Sequence, residues 1–302
     1  MSKHVTRVVN YGGGTNSTAL MILAAQEGVE IDVIPFADTG SEMPHTYEYV
    51  SMFSDWLVAR GLPAITVVRW IRKEGEDKGK FVALHESCER LKTLPSRAFG
   101  FSGCTVKWKQ QPIDSFLEAH PLCAEAFSRG EKVERWIGFD ADEPARAQRQ
   151  ELKNITDTRW SWKAPLYERK IGRAECEGII TRAGLDLPGK SACWMCPSSK
   201  KHEIVQLRRR YPELAARALQ IEANADLKSI KGLGGRLNWG EFCGRRAGPN
   251  RSRFHAVVTT GRTTYCRLRA RTPRALRTTG RTRHEALGGT HGCSTDKTNA
   301  QG

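Results

Sequence analysis

Short apolar runs alternate with stretches of helical periodicity over the first half of the chain. Runs rich in β-branched residues predict four strands, at residues 5–9, 31–36, 65–70 and 133–137. The segments between them space their apolar residues as helices do, at residues 17–26, 44–57, 81–91 and 106–120, with Pro112 expected to kink or restart the last one. This alternation predicts an α/β fold: a Rossmann-like parallel sheet with helices on both faces.

The second half of the chain is mostly helical in pattern until the pattern ends. An edge strand with a turn is expected at 159–167, and helices are expected at 171–183, 200–210 and 212–225. From about residue 242, Arg, Thr and Gly dominate and apolar residues follow no period. We therefore predict three parts: a nucleotide-binding α/β domain (1–185), a helical cysteine-containing extension packed on it (186–243), and a disordered basic tail (244–302).

A glycine-rich turn connects the first predicted strand to the first helix, with the sequence Gly12-Gly13-Gly14-Thr15-Asn16-Ser17. Glycines let backbone N–H groups converge on an anion, and the positive end of the following helix points at the same place. The turn has no Lys, which excludes a Walker A loop, and Ser17 breaks the dinucleotide fingerprint. We interpret it as a phosphate cradle; a glycine turn without a ligand is the alternative.

Acidic turns follow the second and fourth predicted strands, at residues 38–42 and 138–143. Ligands of parallel sheets bind at the carboxyl ends of the strands, so both turns and the glycine loop are expected at one site. Each acidic group also has a purely structural interpretation. Asp38 could cap its own turn, and Asp140, Asp142 and Glu143 could cap the next helix.

Together these motifs resemble a known family. The glycine loop is similar to the pyrophosphate loop (PP-loop) of the adenine nucleotide α-hydrolase group. The second turn, Asp38-Thr39-Gly40-Ser41-Glu42-Met43-Pro44-His45-Thr46-Tyr47, and the later Gly138, Asp142, Glu143 and Arg146 are similar to motifs of phosphoadenosine phosphosulfate (PAPS) reductases. The resemblance covers about residues 5–240, with the motifs in the family's order.

The resemblance implies an enzyme that binds ATP with Mg²⁺, or an adenylyl sulfate, and reacts at the α-phosphate to activate an acceptor, for instance for sulfur transfer. It assigns nucleotide binding to Gly12, Gly13, Gly14, Thr15, Asn16, Ser17, Asp38, Thr39 and Gly138. It assigns catalytic roles to Asp142, Glu143 and Arg146. The Glu-Cys-Gly-Leu-His segment of the sulfonucleotide reductases has no match here, so ATP cleavage is favoured over thiol-dependent reduction of PAPS or adenylyl sulfate.

Four residues are candidate metal ligands. Cys193 and Cys196 have the CxxC spacing with which one turn gives two thiolates to a metal. Cys104 stands where some relatives carry a cluster-ligating cysteine, and three cysteines suit a 4Fe–4S cluster with an open iron. Adding His202 makes a Cys₃His zinc site instead. A redox dithiol or a pair of buried cysteines is the alternative.

The net charge of +15 comes mainly from the end of the chain, because residues 244–302 hold twelve Arg and one Lys against Glu285 and Asp296. Electrostatic attraction to nucleic acid therefore rests on this tail, and a zinc-containing nucleic-acid-binding module without turnover is a third hypothesis. No long apolar run or signal-peptide pattern is present, and nine cysteines suit a reducing compartment. We expect a cytoplasmic protein that binds a nucleotide, an acceptor such as a nucleic acid or a sulfur carrier, and no membrane.

Overall fold

The computed structural model of the chain describes residues 4–95, 102–227, 230–235 and 237–246. Within these residues a parallel sheet is built from β1 (Arg7–Asn10), β2 (Ile34–Asp38), β3 (Ile65–Arg69), β4 (Val133–Ile137) and β5 (Trp160–Lys163). β4 pairs with β1 and β5, and β2 pairs with β3. Parallel bridges at Val8–Val33 and Tyr11–Phe36 join β1 to β2, giving the strand order 3-2-1-4-5.

Helices occupy most of the connections between strands. They are α1 (Thr15–Gln26), α2 (Pro44–Val58), α3 (Leu84–Leu91), α4 (Gly103–Thr105), α5 (Gln111–Ala119), α6 (Pro121–Ser128), α7 (Pro144–Thr156), α8 (Pro165–Glu168), α9 (Arg173–Arg182), α10 (Lys201–Arg210), α11 (Pro212–Asn224) and α12 (Trp239–Arg246). None of these described helices is long and apolar enough to cross a bilayer.

The sheet is covered on both faces, because successive side chains of a strand point to opposite sides. Val9 of β1 and Tyr11 just after it pack into one apolar cluster with residues of α1, α2 and α9. Val8 of the same strand packs into a second cluster with Ile113 and Leu117 of α5 and residues of α6. The prediction of an α/β fold with a parallel sheet between helical layers is confirmed.

A third apolar cluster lies around the cysteine-containing segment. It joins Leu84 of α3, Ile204 of α10 and Trp239 of α12 with Trp108 and Trp194. The predicted boundaries at residues 185 and 243 stay predictions. α12 continues to Arg246, past the predicted start of the tail at residue 244, and the remainder of that tail lies outside the described residues.

The predicted helix at 106–120 has an irregular start. α4 leads through a π-helical turn, Val106–Gln110, into α5, and Pro112 lies in the first turn of α5. Proline has no N–H to donate to the preceding turn, and a wider π-helical turn accommodates that loss. At Pro112 the structure thus changes from a π-helical turn to a new α-helix, which begins one residue before the proline. The sequence pattern did not predict α6 or α12.

Candidate functional site

An open cleft lies at the carboxyl ends of β1 and β4. In the strand order 3-2-1-4-5, the chain runs from β1 to β2 on one side and from β4 to β5 on the other. The connections after β1 and β4 therefore diverge between these two neighbouring strands, which is where open α/β sheets bind ligands. The cleft has a volume of about 660 Å³. The glycine loop, the turn at residues 138–143 and a later loop line it, whereas the turn at residues 38–42, expected at the same site, does not. The lining residues are Asn10, Gly12, Gly14, Thr15, Asn16, Ser17, Ile137, Gly138, Phe139, Asp140, Asp142, Glu143, Arg146, Arg173, Gly189, Lys190 and Ser191.

The glycine loop is held in shape by Ser17. The Ser17 Oγ accepts hydrogen bonds from the N–H groups of Gly12 at 3.2 Å and Gly14 at 3.4 Å, and it donates to the Gly14 carbonyl at 3.1 Å. Gly13 has φ of 70°, and an added Cβ would lie 3.2 Å from both Phe36 and Thr46. α1 begins at Thr15, so the N–H groups of its first turn lack intrahelical acceptors and face the cleft end of the helix.

Gly138 brings the turn after β4 directly against this helix end. A Cβ at Gly138 would lie 2.9 Å from the Ser17 nitrogen and 3.0 Å from the Ser17 Cα, which are backbone atoms that cannot move aside easily. Only glycine permits this approach. The acidic residues that follow are therefore placed beside the positive end of α1.

Asn16, in the first turn of α1, is hydrogen-bonded both to the acidic turn after β4 and to Arg173. Its Nδ2 donates to the Asp140 carboxylate at 2.7 Å and, at 3.4 Å, to Glu143, while its Oδ1 accepts from Arg173 at 3.0 Å. Asp140 is buried, and its other oxygen accepts the Asp142 N–H at 3.0 Å. Asp140 thus shapes the turn, in line with its structural interpretation.

The three predicted catalytic residues lie together on the cleft wall. Asp142 is exposed, and one of its oxygens accepts the Arg173 N–H at 2.8 Å. Glu143 is ion-paired with Arg146 within the first turn of α7. Two carboxylates beside a phosphate cradle are a donor set that suits Mg²⁺, which binds one or two carboxylates together with substrate phosphates.

Asp38 and Thr39 lie outside the lining of the cleft. The Asp38 carboxylate is 2% exposed and fully engaged, accepting from Gly40 N–H at 2.7 Å, Tyr47 Oη at 2.7 Å and Arg69 Nε at 2.8 Å. It fixes the turn after β2, as the capping alternative stated. Contact of Asp38 or Thr39 with a nucleotide stays a prediction.

Thr39 belongs to a buried polar group that we call the Glu42 cluster, formed by Thr39, Glu42, Lys109 and Cys193. The Glu42 carboxylate accepts from Thr39 Oγ1 at 3.1 Å and from Lys109 Nζ at 2.8 Å, and the Cys193 thiol lies 3.8 Å away. An antiparallel bridge between Glu42 and Cys193 aligns the two segments. The second Glu42 oxygen is buried and has no hydrogen-bond partner within the part of the chain that the structure describes.

Electrostatics ties the three predicted metal cysteines to this cluster. Burial first, and then the Glu42 carboxylate, raises the pKa of the Cys193 thiol. Burial, followed by the nearby Cys196, raises the pKa of Cys104. Burial alone lowers the pKa of Lys109, but Glu42, together with Cys193 and Cys196, holds the Lys109 pKa above its ordinary value. The Lys109 ammonium group therefore neutralises the Glu42 carboxylate within the cluster.

The geometry does not support the predicted metal site. Among the residues that the structure describes, no three His, Cys, Asp or Glu side chains are grouped closely enough to hold a metal ion. Electrostatic coupling between thiols reaches farther than a metal–sulfur bond of about 2.3 Å. His202, the proposed fourth ligand, is an exposed residue of α10. The cysteines as arranged fit neither the zinc nor the 4Fe–4S alternative, and we derive no step through either group.

Several residues of these sites were missed by sequence reasoning. Arg173, Lys190 and Ser191 line the cleft, and Ser191 Oγ donates to the Gly12 carbonyl. Lys109 neutralises Glu42. Each comes from a segment far along the chain, and no local pattern pairs it with the glycine loop or with the second turn.

No family model matches the chain, and no curated protein matches it in sequence. Among solved structures, it is similar to the U34-tRNA thiolase NcsA from Methanococcus maripaludis, which was solved with its 4Fe–4S cluster. The two are 12% identical, with a TM-score of 0.40 over 80% of this chain and 81% of that one. At this level the similarity assigns neither a family nor an activity to the chain.

Proposed function

We propose that the cleft binds MgATP and that the protein transfers the adenylyl group to an acceptor. The proposal rests on one observation: the glycine loop, the N-terminus of α1 and two exposed arginines line one cleft of about 660 Å³ at the sheet's switch point. This combination neutralises a polyphosphate. The residues 12–17 loop would hold the β- and γ-phosphates, and the α-phosphate would lie toward Asp142 and Arg146.

The reaction is a substitution at the α-phosphorus. An acceptor oxygen attacks this phosphorus, the bond to the β-phosphate bridging oxygen breaks, and pyrophosphate leaves with the electron pair. The N–H groups of the loop and the Arg146 and Arg173 guanidinium groups stabilise the charge that develops on the leaving pyrophosphate. Mg²⁺, held by Asp142 and Glu143, would supply Lewis-acid stabilisation to the same oxygens.

The resemblance to PP-loop and PAPS reductase-like enzymes suggests how the adenylated acceptor is used. A sulfur nucleophile can displace AMP from it, which amounts to thiolation. An adenylyl sulfate is an alternative nucleotide for the same cleft. We favour ATP over it because the chain has no match to the Glu-Cys-Gly-Leu-His segment that carries the reductases' catalytic cysteine.

The experiment uses ATP labelled at the α-phosphate, incubated with the full chain, Mg²⁺ and candidate acceptors. We expect labelled AMP or an adenylated acceptor, together with pyrophosphate. Arg146→Ala should slow this at least about tenfold. Arg149→Ala, on the same helix but outside the cleft lining, should leave the rate unchanged. Labelled ADP as the product would overturn the proposal.

A further inference from the structure

A second cavity lies beside the turn at residues 138–143. It has a volume of about 430 Å³ and is lined by residues of α7, β5 and α8, so we call it the α7–α8 cavity. Ala141 of the turn lines it, whereas the neighbouring Asp140 and Asp142 line the cleft between β1 and β4. Among the described residues, none belongs to both linings, so the cavity is a separate site.

Side-chain hydrogen bonds hold the walls of this cavity in place. The Asn154 side chain of α7 accepts the main-chain N–H of Trp162 in β5 at 2.7 Å and donates to its carbonyl at 2.9 Å. The Glu168 carboxylate of α8 accepts the Ala164 N–H at 3.1 Å, which fixes the step from β5 to α8. The three elements are therefore connected around the cavity before any ligand binds, and a preformed site lowers the cost of binding.

Charged side chains of both signs line the cavity without being ion-paired. Glu151 and Glu168 carry carboxylates, and Lys163 and Lys170 carry ammonium groups. Glu151, Glu168 and Lys170 are exposed and Lys163 is half-buried, so a ligand can reach all four. Within the described part of the chain, none of them takes part in an ion pair, so a ligand would displace no existing partner. Because both signs are present, the complementary ligand carries a carboxylate and an ammonium group of its own.

Most of the remaining lining residues are apolar or aromatic. They include Trp162, Tyr167 and three alanines, Ala141, Ala147 and Ala164. An apolar group that binds among them leaves water, which favours binding. The volume of about 430 Å³ lies at the small end of the roughly 300–1,000 Å³ that is typical of ligand sites. The cavity therefore suits a small molecule with an apolar part.

We propose that the α7–α8 cavity binds a free amino acid with an apolar side chain, as the zwitterion. Its carboxylate pairs with Lys163 and Lys170, its ammonium group pairs with Glu151 and Glu168, and its side chain packs against the apolar part of the lining. This site goes beyond the proposed function and does not rest on it, because the cavity shares no lining residue with the cleft among the described residues.

The probe is L-phenylalanine, titrated into the full chain and followed by ligand-observed nuclear magnetic resonance. We expect saturable binding that persists when MgATP is also present. Two compounds of the same shape are the ligand controls: phenethylamine lacks the carboxylate, and 3-phenylpropionate lacks the ammonium group. Each should bind about threefold to tenfold more weakly, because it loses the ion pairs of one sign.

Lys170→Gly removes one of the cations at a position where glycine is favoured. Lys170 has φ of 58° just after the end of α8, the place where helices commonly carry a left-handed glycine. The substitution should therefore not lower the midpoint of thermal unfolding, while the affinity for L-phenylalanine should fall about threefold to tenfold. Lys92→Gly is the matched control: Lys92 has φ of 50° at the end of α3, lies outside the lining, and should leave the affinity unchanged.

Four results would each overturn the proposal. They are no binding of L-phenylalanine to the wild-type chain, equal binding of either single-charge analogue, equal affinities in the two glycine variants, and displacement of L-phenylalanine by MgATP. Normal binding of L-phenylalanine without ATP binding would reject only the nucleotide proposal for the cleft.

Discussion

The cleft between β1 and β4 and the Glu42 cluster contain similar charged residues in different surroundings. In the cleft, Arg146 and Arg173 are exposed, and their ion pairs with Glu143 and Glu177 are also open to solvent. Exposed ion pairs are weak, so a charged ligand can compete with them. In the cluster, the Glu42 side chain is fully buried and Lys109 lies 2.8 Å from it. A buried carboxylate is costly to leave without a cation, so Lys109 is needed to compensate Glu42 in the folded state. The cleft and the Glu42 cluster thus differ in the solvent exposure of their charged side chains more than in residue type.

The largest effect is expected from Gly138→Ala, which disturbs the contact between the acidic turn and α1 in the cleft. The added methyl group would meet the backbone of Ser17 at 2.9 Å, pushing the acidic turn away from α1. We expect a loss of about 3 kcal/mol in unfolding free energy, measured by chemical denaturation, together with a loss of ATP affinity. Gly103→Ala, where an added Cβ meets nothing within 4 Å, is the control. Wild-type stability in Gly138→Ala would contradict the close approach.

Lys109→Met should have the next largest effect, and only on stability. It leaves the buried Glu42 carboxylate without its cation, at a cost of about 2 kcal/mol, reduced because Lys109 is partly exposed. Adding Glu42→Gln to Lys109→Met should recover most of the loss in the same denaturation experiment. ATP affinity should stay unchanged. If Lys109→Met were as stable as the wild type, or no longer bound ATP, the Glu42 cluster would not be a structural site separate from the cleft.

The smallest effect concerns the buried thiols of the core. Burial raises the pKa of Cys176 to about 12 and that of Cys123 to about 11. Between the ordinary thiol pKa of about 9 and these values, the folded state keeps protons that the unfolded state loses. The stabilisation from these two thiols is thus complete below pH 9 and is lost gradually as the pH rises above it, while at neutral pH they add no pH dependence.

Denaturation curves in reductant at about pH 8 and about pH 11 measure this decline. Cys176→Ala should start from a lower stability at the lower pH, because it leaves a cavity, but should lose less on going to the higher pH. The same decline in that variant and in the wild type would show that Cys176 does not contribute to it.

The sequence predicts the sheet and the two turns that form the cleft because those features are local. The glycine run, the β-branched strands and Gly138 each carry their signal within a few residues. The roles of Asp38 and Lys109 could not be predicted in this way. Asp38 follows a strand as a ligand-binding acid does, yet Tyr47 and Arg69 engage it completely. Lys109 meets Glu42 only through tertiary packing.

The CxxC pair shows the same limit. Its spacing is compatible with a metal site, but ligation also depends on where the other donors fall. The fold puts Cys193 against Glu42 and Thr39, and leaves His202 exposed. Similarly, Arg173 reaches the cleft because α9 begins beside the acidic turn, a consequence of chain topology that no local motif records.

The central claim is that the cleft between β1 and β4 holds a nucleoside triphosphate. Calorimetric titration of a non-hydrolysable ATP analogue with Mg²⁺ into the full chain tests it most directly, with two variants of α9 as a matched pair. The account predicts one site per chain and an affinity at least about tenfold weaker in Arg173→Ala, whose guanidinium lines the cleft, but not in Arg182→Ala at the far end of the helix. No binding to the wild-type chain, or the same affinity in both variants, would contradict it.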